Sequence, residues 1–347
     1  MKIALVNDSF LRGRGADQVV FELAKRLGRI HQVDVITAES DFPESNFRIK
    51  KVKARRLLTG TWRDFLFFKT AWAFRKEASG YDIINLHHAT LAPAFWRFKN
   101  VVITYHGSPF NLLGEGGFRS MARRFINKRG ISFACKNKKT IAISEYIKKE
   151  LIANKIHSEK IKVIYDGVGN EFRPTYEDYK FMFFVGHHDK HKRIDQLIEI
   201  ASDLNFKLKI AGSGLETKYL KKKAKDILAP VEFLGKVSDE DLLSYYQKCS
   251  FFVSASAWEG FGLIFLEAAR CAKPSIAFRV GSIPELINHE KTGFLANNKQ
   301  EFKRYVKILI DYRDLRRKMG EEAMVQSQKF NWGASVKKYL EVFREIQ

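Results

Sequence analysis

A chain of 347 residues, 45% of them hydrophobic, holds ample apolar material for a packed interior and is too long for one ordinary core, so two domains are expected. Its three cysteines, Cys135, Cys249 and Cys271, form neither an even set nor a Cys-x-x-Cys pair, which argues against a disulfide framework or a zinc site and fits a reducing, cytoplasmic setting. The net charge of +22 is concentrated, because residues 48–76 and 119–149 each carry ten Lys and Arg against one acid, Asp64 in the first and Glu145 in the second.

The opening run, MKIALVNDSF, is too short in its apolar part for a signal peptide and reads as a first strand. No apolar run reaches the roughly 18 residues of a membrane helix. Short β-branched runs then alternate with amphipathic stretches: KIALV, ADQVVFELAKRLG, QVDVITA, YDIINLHH, NVVITYHG, KTIAIS, EYIKKELIANKI and KIKVIYDG. This is the pattern of strands and crossover helices in a parallel sheet. It breaks at the polar stretch GVGNEFRPTYEDYK, residues 167–180, and resumes with FMFFVG, IDQLIEIASDL, FKLKIAG, VEFLG, DEDLLSYYQKC, SFFVSA, GLIFLEAARC and PSIAF. Two α/β halves are therefore expected, with a linker near 168–180 and a helical tail from about Gln300. In doubly wound sheets ligands sit beyond the carboxyl ends of the strands. The candidate exits are Asn7-Asp8, His87-His88, His106-Gly107, Asp166-Gly167, Gly186-His187, Gly212-Ser213-Gly214 and Trp258-Glu259.

The basic first half favours an anionic partner, and TWRDFLFFKTAWAFRKEA adds aromatics flanked by cations. Trp62, Phe65, Phe67, Phe68, Trp72 and Phe74 with Arg63, Lys69, Arg75 and Lys76 suit a helix at a membrane interface. Core packing of one face is the competing reading, and the lysines elsewhere fit a solvated surface. No RRM-type or KH-type motif supports RNA, so no nucleic-acid partner is expected. Gly13-x-Gly15 lacks the third glycine of a dinucleotide fingerprint, since Gln18 stands there. The histidine clusters His87-His88 and His187-His188-x-x-His191 lack acidic companions at metal spacing, so no metal is expected.

SAWEGFGLIFLEAARC, residues 256–271, holds two carboxylates, Glu259 and Glu267. On one helix they would lie about 12 Å apart axially and roughly 80° around the axis. A glycosidase pair needs about 5.5 Å when retaining and up to about 9.5 Å when inverting, so an acid/base couple on one bond is disfavoured. Gly260-Phe261-Gly262 instead opens a helix, where bare N–H groups and the macrodipole favour an anion. A diphosphate there would leave one glutamate for each end of a nucleotide-sugar. A plain amphipathic helix with two polar positions is the simpler alternative.

EGFGLIFLE resembles the Glu-x7-Glu signature of retaining glycosyltransferases with the GT-B fold, glycosyltransferase family four in particular. Similar segments run along essentially the whole chain: RGRGADQVVFELAKRL, TYHG, AISEYIKKEL and KVIYDGVGNEF in the first half, and FMFFVGHHDKHKRIDQLIEI, LKIAGSG, VEFLGKVSDEDLLSYYQKC, RVGSIPELI and KTGFL in the second. The resemblance implies two Rossmann-like parallel-sheet domains facing a central cleft. An acceptor domain would span 1–170, a donor domain 171–330, and a helix over 331–347 would cross back to the first. It implies no metal and no cofactor beyond the donor itself.

Carried over by position, the resemblance puts Glu259 on donor-sugar hydroxyls, Glu267 on the ribose, and Lys192 on the leaving diphosphate. The amides of Gly260, Phe261, Gly262 and Leu263 would face sugar and diphosphate, with Gly15 approaching across the cleft. His106 would touch the donor sugar or the acceptor hydroxyl. Gly186, Gly212 and Gly214 at strand exits, with Gly235 and Val237 near the base, complete the donor set. His187 stands where the family has an arginine, and Arg193 stands where it has a glycine and can replace that arginine, as can Lys190 or His188. The implied reaction moves a hexosyl unit from a UDP- or GDP-sugar to an acceptor hydroxyl with retention, the acceptor being lipid-linked or an anionic glycan at the membrane face. The alternative is a catalytically silent protein that binds anionic membranes or RNA.

Overall fold

β-Branched and aromatic residues fill the strands because a parallel sheet is covered on both faces, where such side chains pack well on the pleat. Val101–Tyr105 and Phe251–Ser254 are buried throughout. The computed structural model of the chain describes residues 1–53, 71–107, 132, 135, 136 and 138–347. These fall into two compact units, one made of Met1–Asp166 and Trp332–Gln347, the other of Gly167–Asn331.

In the first unit the strands are β1 (Lys2–Val6), β2 (Gln32–Thr37), β3 (Arg48–Lys51), β4 (Ile83–Leu86), β5 (Val101–Tyr105), β6 (Lys139–Ala142) and β7 (Ile161–Val163). They form a parallel sheet in the order β3-β2-β1-β4-β5-β6-β7. Helices α1 (Gly15–Leu27) and α2 (Glu145–Ala153) accompany it. The closing helix, Trp332–Arg344, packs on α1. Ser335 Oγ donates to Tyr165 O, just past β7, at 2.6 Å, and Lys139 on β6 pairs with Glu345 at 2.6 Å, fixing the end of the chain to this side of the sheet.

The second unit repeats the plan with β8 (Met182–Val185), β9 (Leu208–Ala211), β10 (Val231–Gly235), β11 (Phe251–Ser254), β12 (Ser275–Phe278) and β13 (Gly293–Ala296). The order is β10-β9-β8-β11-β12-β13, again all parallel. Its helices are α3 (Ile194–Asp203), α4 (Thr217–Asp226), α5 (Asp239–Lys248), α6 (Leu263–Arg270), α7 (Ile283–Leu286), α8 (Lys299–Asp311) and α9 (Arg313–Ser327). Met182, Phe184, Ile198, Leu208, Phe251, Ile276 and Phe302 belong to its core. In both sheets the strand order reverses beside the first strand of the unit, which creates a crevice at β1/β4 and at β8/β11.

Two strands escape the sequence patterning. β3 reads RIKK, a basic run, and forms an edge strand because Arg48 and Lys50 reach the fully buried Asp34 on β2 at 2.9 and 3.5 Å. β13 is a four-residue run, too short to display a period. The stretch 168–180 packs on the second unit: Val168 N donates to Phe330 O, Tyr179 N to Lys248 O, and Arg316 bonds Asp178. Of the aromatic stretch at 62–76, Trp72 is 61% exposed and Phe74 is buried. Trp62, Arg63, Phe65, Phe67, Phe68 and Lys69 lie outside the described residues.

Helix α9 packs on α6, and its Gly320 meets the turn just after α6, where an added Cβ would sit 2.0 Å from Ala272 O. Alanine gains about 1 kcal/mol of helix propensity, yet a clash with backbone that cannot rotate away costs about 1–3 kcal/mol. Gly320→Ala should therefore lower the denaturant midpoint at unchanged m-value; an unchanged or raised midpoint would refute this account of how α6 is seated.

Candidate functional site

The crevice of the second unit is lined by the loops that leave β8, β9, β10 and β11. Their backbones are stitched together: Gly186 N donates to Ala211 O at 3.2 Å and Gly212 N to Gly235 O at 2.7 Å. Gly212 has no room for a side chain, since its Cβ would lie 2.0 Å from Gly186 O. Gly214 also packs against backbone, its Cβ position lying 2.7 Å from His188 N and O, and Glu216 N donates to His188 O at 2.9 Å. Gly235 and half-buried Val237 follow β10, after which Ser238 caps α5 by accepting from Asp241 N at 3.0 Å.

Lys192 ends a single turn, Lys190–Lys192, between β8 and α3. Its Nζ lies 2.6 Å from Glu259 Oε1, with the two side chains only 14% and 12% exposed. Burying two charges is costly unless they are paired and their loops held, and both conditions are met. Ala257 N donates to His191 O at 2.7 Å, joining the two loops. Ser282, buried in the loop after β12, donates from N and Oγ to Glu259 O, each at 3.2 Å, and from Oγ to Phe261 O at 2.8 Å. The carbonyl of Glu259 is thus fixed and its carboxylate is left to Lys192.

Beyond Glu259 the chain passes Gly260 and buried Phe261, which meets Phe330 edge-on. Gly262 then enters α6 in the left-handed region at φ 99°, natural only for glycine, and Leu263 begins the helix. Glu267 lies on the next turn. Tyr246, fully buried on α5 among Phe172, Phe183 and Phe252, donates its hydroxyl to Glu267 Oε2 at 2.7 Å. Burial lifts the Glu267 carboxyl to about 7, against the lowering effect of the Tyr246 bond, with Glu171 and Asp239 adding to the rise.

Among the residues offered for the missing arginine, His187 and Arg193 are exposed. Arg193 occupies the left-handed region, φ 47° and ψ 40°, a backbone that glycine adopts most readily. His188 is buried and bonded through Nδ1 to Thr217 Oγ1 at 2.9 Å. Burial lowers its pKa, which weakens it as a cation.

In the first unit the loop after β1 is held by Asp17. Its carboxylate accepts from Asn7 Nδ2 at 2.7 Å, Leu11 N at 2.8 Å and Ser9 Oγ at 3.2 Å. Burial raises this carboxyl to about 6, opposed by the Leu11 bond and Arg14. Gly15 starts α1 with open space where a side chain would be. His106, at the end of β5, bonds His87, at the end of β4, Nε2 to Nδ1 at 2.8 Å. Among the described residues no three His, Cys, Asp or Glu side chains gather as for a metal ion.

The structure therefore joins Lys192 to Glu259, brings Gly186, Gly212, Gly214 and Gly235 into one stitched rim, and sets Glu267 on the helix that Gly260–Gly262 opens. Gly15 and His106 belong to the other unit. Sequence reasoning missed Tyr246, Ser282, Asp17 and His87 as supports. Asp17 sits two residues after Gly15 and faces the exit of β1, a placement that hydrophobic periodicity does not display.

The family model described as Glycosyltransferase Family 4 matches residues 13–172, and that described as Glycosyl transferases group 1 matches residues 170–326. An uncharacterized glycosyltransferase of Methanocaldococcus jannaschii is 34% identical over 280 residues, which is 78% of this chain and 77% of the relative. Sucrose-phosphate synthase from Thermosynechococcus elongatus shares the fold at a TM-score of 0.84 and 20% identity, over 100% of this chain and 99% of that one. HepE from Anabaena, solved in complex with UDP-glucose, does so at 0.80 and 20%, over 99% and 100%.

Two outcomes are expected. A non-glycine residue in the left-handed region costs about 1–2 kcal/mol, partly offset by the freedom glycine has when unfolded. Arg193→Gly should then stabilise the fold by about 0.5–1 kcal/mol in chemical denaturation, and no gain would mean that the local backbone is unstrained. Because the Glu267 pKa is raised on folding, the folded chain holds a proton that the unfolded chain releases between about 4.5 and about 7. Stability contributed by this group is present below that window and is lost as pH rises through it. Glu267→Gln should remove this part of the slope in stability against pH; a slope identical to wild type would refute the shift.

Proposed function

This chain belongs to glycosyltransferase family four and is a glycosyltransferase with the GT-B fold, and we propose that it transfers a hexosyl unit, with retention, from a nucleoside-diphosphate sugar to an acceptor hydroxyl. The observation that carries this reading is the 2.6 Å pair of Lys192 and Glu259 at the exits of neighbouring strands, ahead of a glycine-opened helix that bears Glu267. In this reading Lys192 exchanges its carboxylate partner for the donor's diphosphate. Charge builds on that group as the sugar departs, and a fixed cation in a poorly hydrated site stabilises it strongly. Glu259, released from Lys192, accepts hydrogen bonds from sugar hydroxyls, and Glu267 accepts them from the ribose. The amides of Gly260–Leu263 meet the diphosphate at the helix start, where the macrodipole favours an anion. Arg193 and His187, both exposed, stand for the absent arginine, and His106, at a strand exit of the first unit, is read as a substrate contact. HepE of Anabaena was solved with UDP-glucose, which supports a nucleotide-sugar donor here.

A membrane-facing acceptor belongs to the same proposal. Trp72 is 61% exposed and Trp96 is 51% exposed, and the Arg75 guanidinium lies 4.5 Å from the Trp72 ring centre and 5.2 Å from that of Phe98. Exposed tryptophans with arginines suit an anionic headgroup layer. Among the described residues no helix is long and apolar enough to cross a membrane.

The test is nucleotide release from a panel of UDP-, GDP- and ADP-sugars. At least one donor should turn over, and Lys192→Ala and Glu267→Ala should each lower kcat by about 100-fold or more. Turnover untouched by both changes would sink the site assignment, and failure to bind any nucleotide would favour a silent binding protein. For the surface, sedimentation with anionic liposomes should fall with added salt and in Trp72→Ala/Trp96→Ala. Salt-independent or absent sedimentation would remove the membrane.

A further inference from the structure

His87 Nδ1 and His106 Nε2 lie 2.8 Å apart, with the ring centres at 5.1 Å and the planes 23° from parallel. They meet because β4 and β5 are parallel neighbours, Leu86 facing Ile103. Two residues earlier the same strand positions carry Asn85 and Thr104, whose side chains bond at 2.9 Å. The histidines thus continue a polar column up to the strand exits. His87 is 4% exposed, and its Nε2 is buried with no hydrogen-bond partner among the described residues. The titratable groups near the pair include His88, itself 3.7 Å from Asp8, and Tyr339, which lies beside Thr104. Burial holds both rings neutral: it takes His87 well below the usual range, with His106 adding to the effect, and His106 to about 3, with His88 adding.

Two neutral imidazoles joined by one N–H···N bond share a single hydrogen between them, so their tautomers are tied. If His87 carries its hydrogen on Nδ1, His106 accepts at Nε2 and must carry its own on Nδ1. His87 Nε2 is then a lone pair. The reverse assignment leaves His87 with a buried N–H at Nε2 that faces no acceptor among the described residues. A buried, unpaired N–H is the rarer and costlier defect. The first assignment wins.

We propose that His87 is a positioning residue that fixes His106 in the Nδ1–H tautomer, so that His106 meets the substrate as a hydrogen-bond donor and not as a base. The proposal rests on the reading of His106 as a substrate contact. It separates the two tasks open to that residue, since a ring that presents N–H can bind a sugar oxygen but cannot take a hydroxyl proton.

The test uses the full chain labelled with 15N-histidine, in which two-bond proton–nitrogen spectra distinguish the tautomers. His106, identified by the signal lost in His106→Gln, should show a protonated Nδ1 and no titration between about pH 5 and 8. A protonated Nε2, or titration in that range, overturns the proposal without reference to activity. His87→Leu should let His106 exchange tautomers and titrate. It should lower kcat/KM roughly 10-fold and add an acid limb to the pH profile, the expected scale for one misdirected hydrogen bond. His87→Gln, which retains an N–H to offer, should keep the tautomer and most of the rate. If His87→Leu folds and leaves the His106 spectrum unchanged, His87 does not position it. If wild type turns over a donor while His106→Gln loses nothing, the substrate-contact reading fails, and the spectra still decide whether the pair is locked.

Discussion

Strands β8 and β11 are hydrogen-bonded neighbours although α3, α4, α5 and two further strands separate them along the chain. On that pairing the candidate donor site depends. A parallel sheet sends every loop off the same edge, and where the strand order reverses, neighbouring loops diverge and leave a crevice. The loop after β8 supplies Lys192 and the loop after β11 supplies Glu259. Neither can approach the other except across that reversal. Once they meet, each solves the other's desolvation problem, and the backbone bonds from Ala257 and Ser282 hold the geometry.

The site's electrostatics follow from how each carboxylate is partnered. Glu259 has a cation at 2.6 Å, whereas Glu267 has only a neutral phenol, so burial dominates there and its carboxyl is lifted to about 7. Two glutamates in one motif therefore sit in different electrostatic settings, one facing a cation and one a phenol. The first unit shows the same contrast: Asp17 holds a loop through neutral donors and is raised to about 6, while Asp34 lies below the usual range because the bonds from Arg48 and Tyr81 outweigh its burial.

The loops are built for close backbone approach more than for side-chain contact. Gly212 against Gly186, Gly214 against His188 and Gly281 against Glu259 leave no room for a Cβ. Rims of this kind present N–H groups without intervening side chains, as phosphate recognition at helix starts demands. Arg193 departs from the rule by taking a left-handed backbone with a long cationic side chain, which puts a charge where backbone alone would otherwise stand.

Local sequence determined the alternation of strands and helices, the division into two similar halves and the glycine-opened helix start between Glu259 and Glu267, because each is a matter of period and short-range geometry. It also marked Lys192, Glu259 and Glu267 through resemblance. It passed over β3 and β13, which are too short or too basic to show a period, and it offered His188 as a cation that burial weakens. The contacts of Lys192 with Glu259, Tyr246 with Glu267, and His87 with His106 were decided by tertiary structure alone. Each joins residues from different strands or helices, and strand order, which no local pattern encodes, sets which of them become neighbours and how much water they keep.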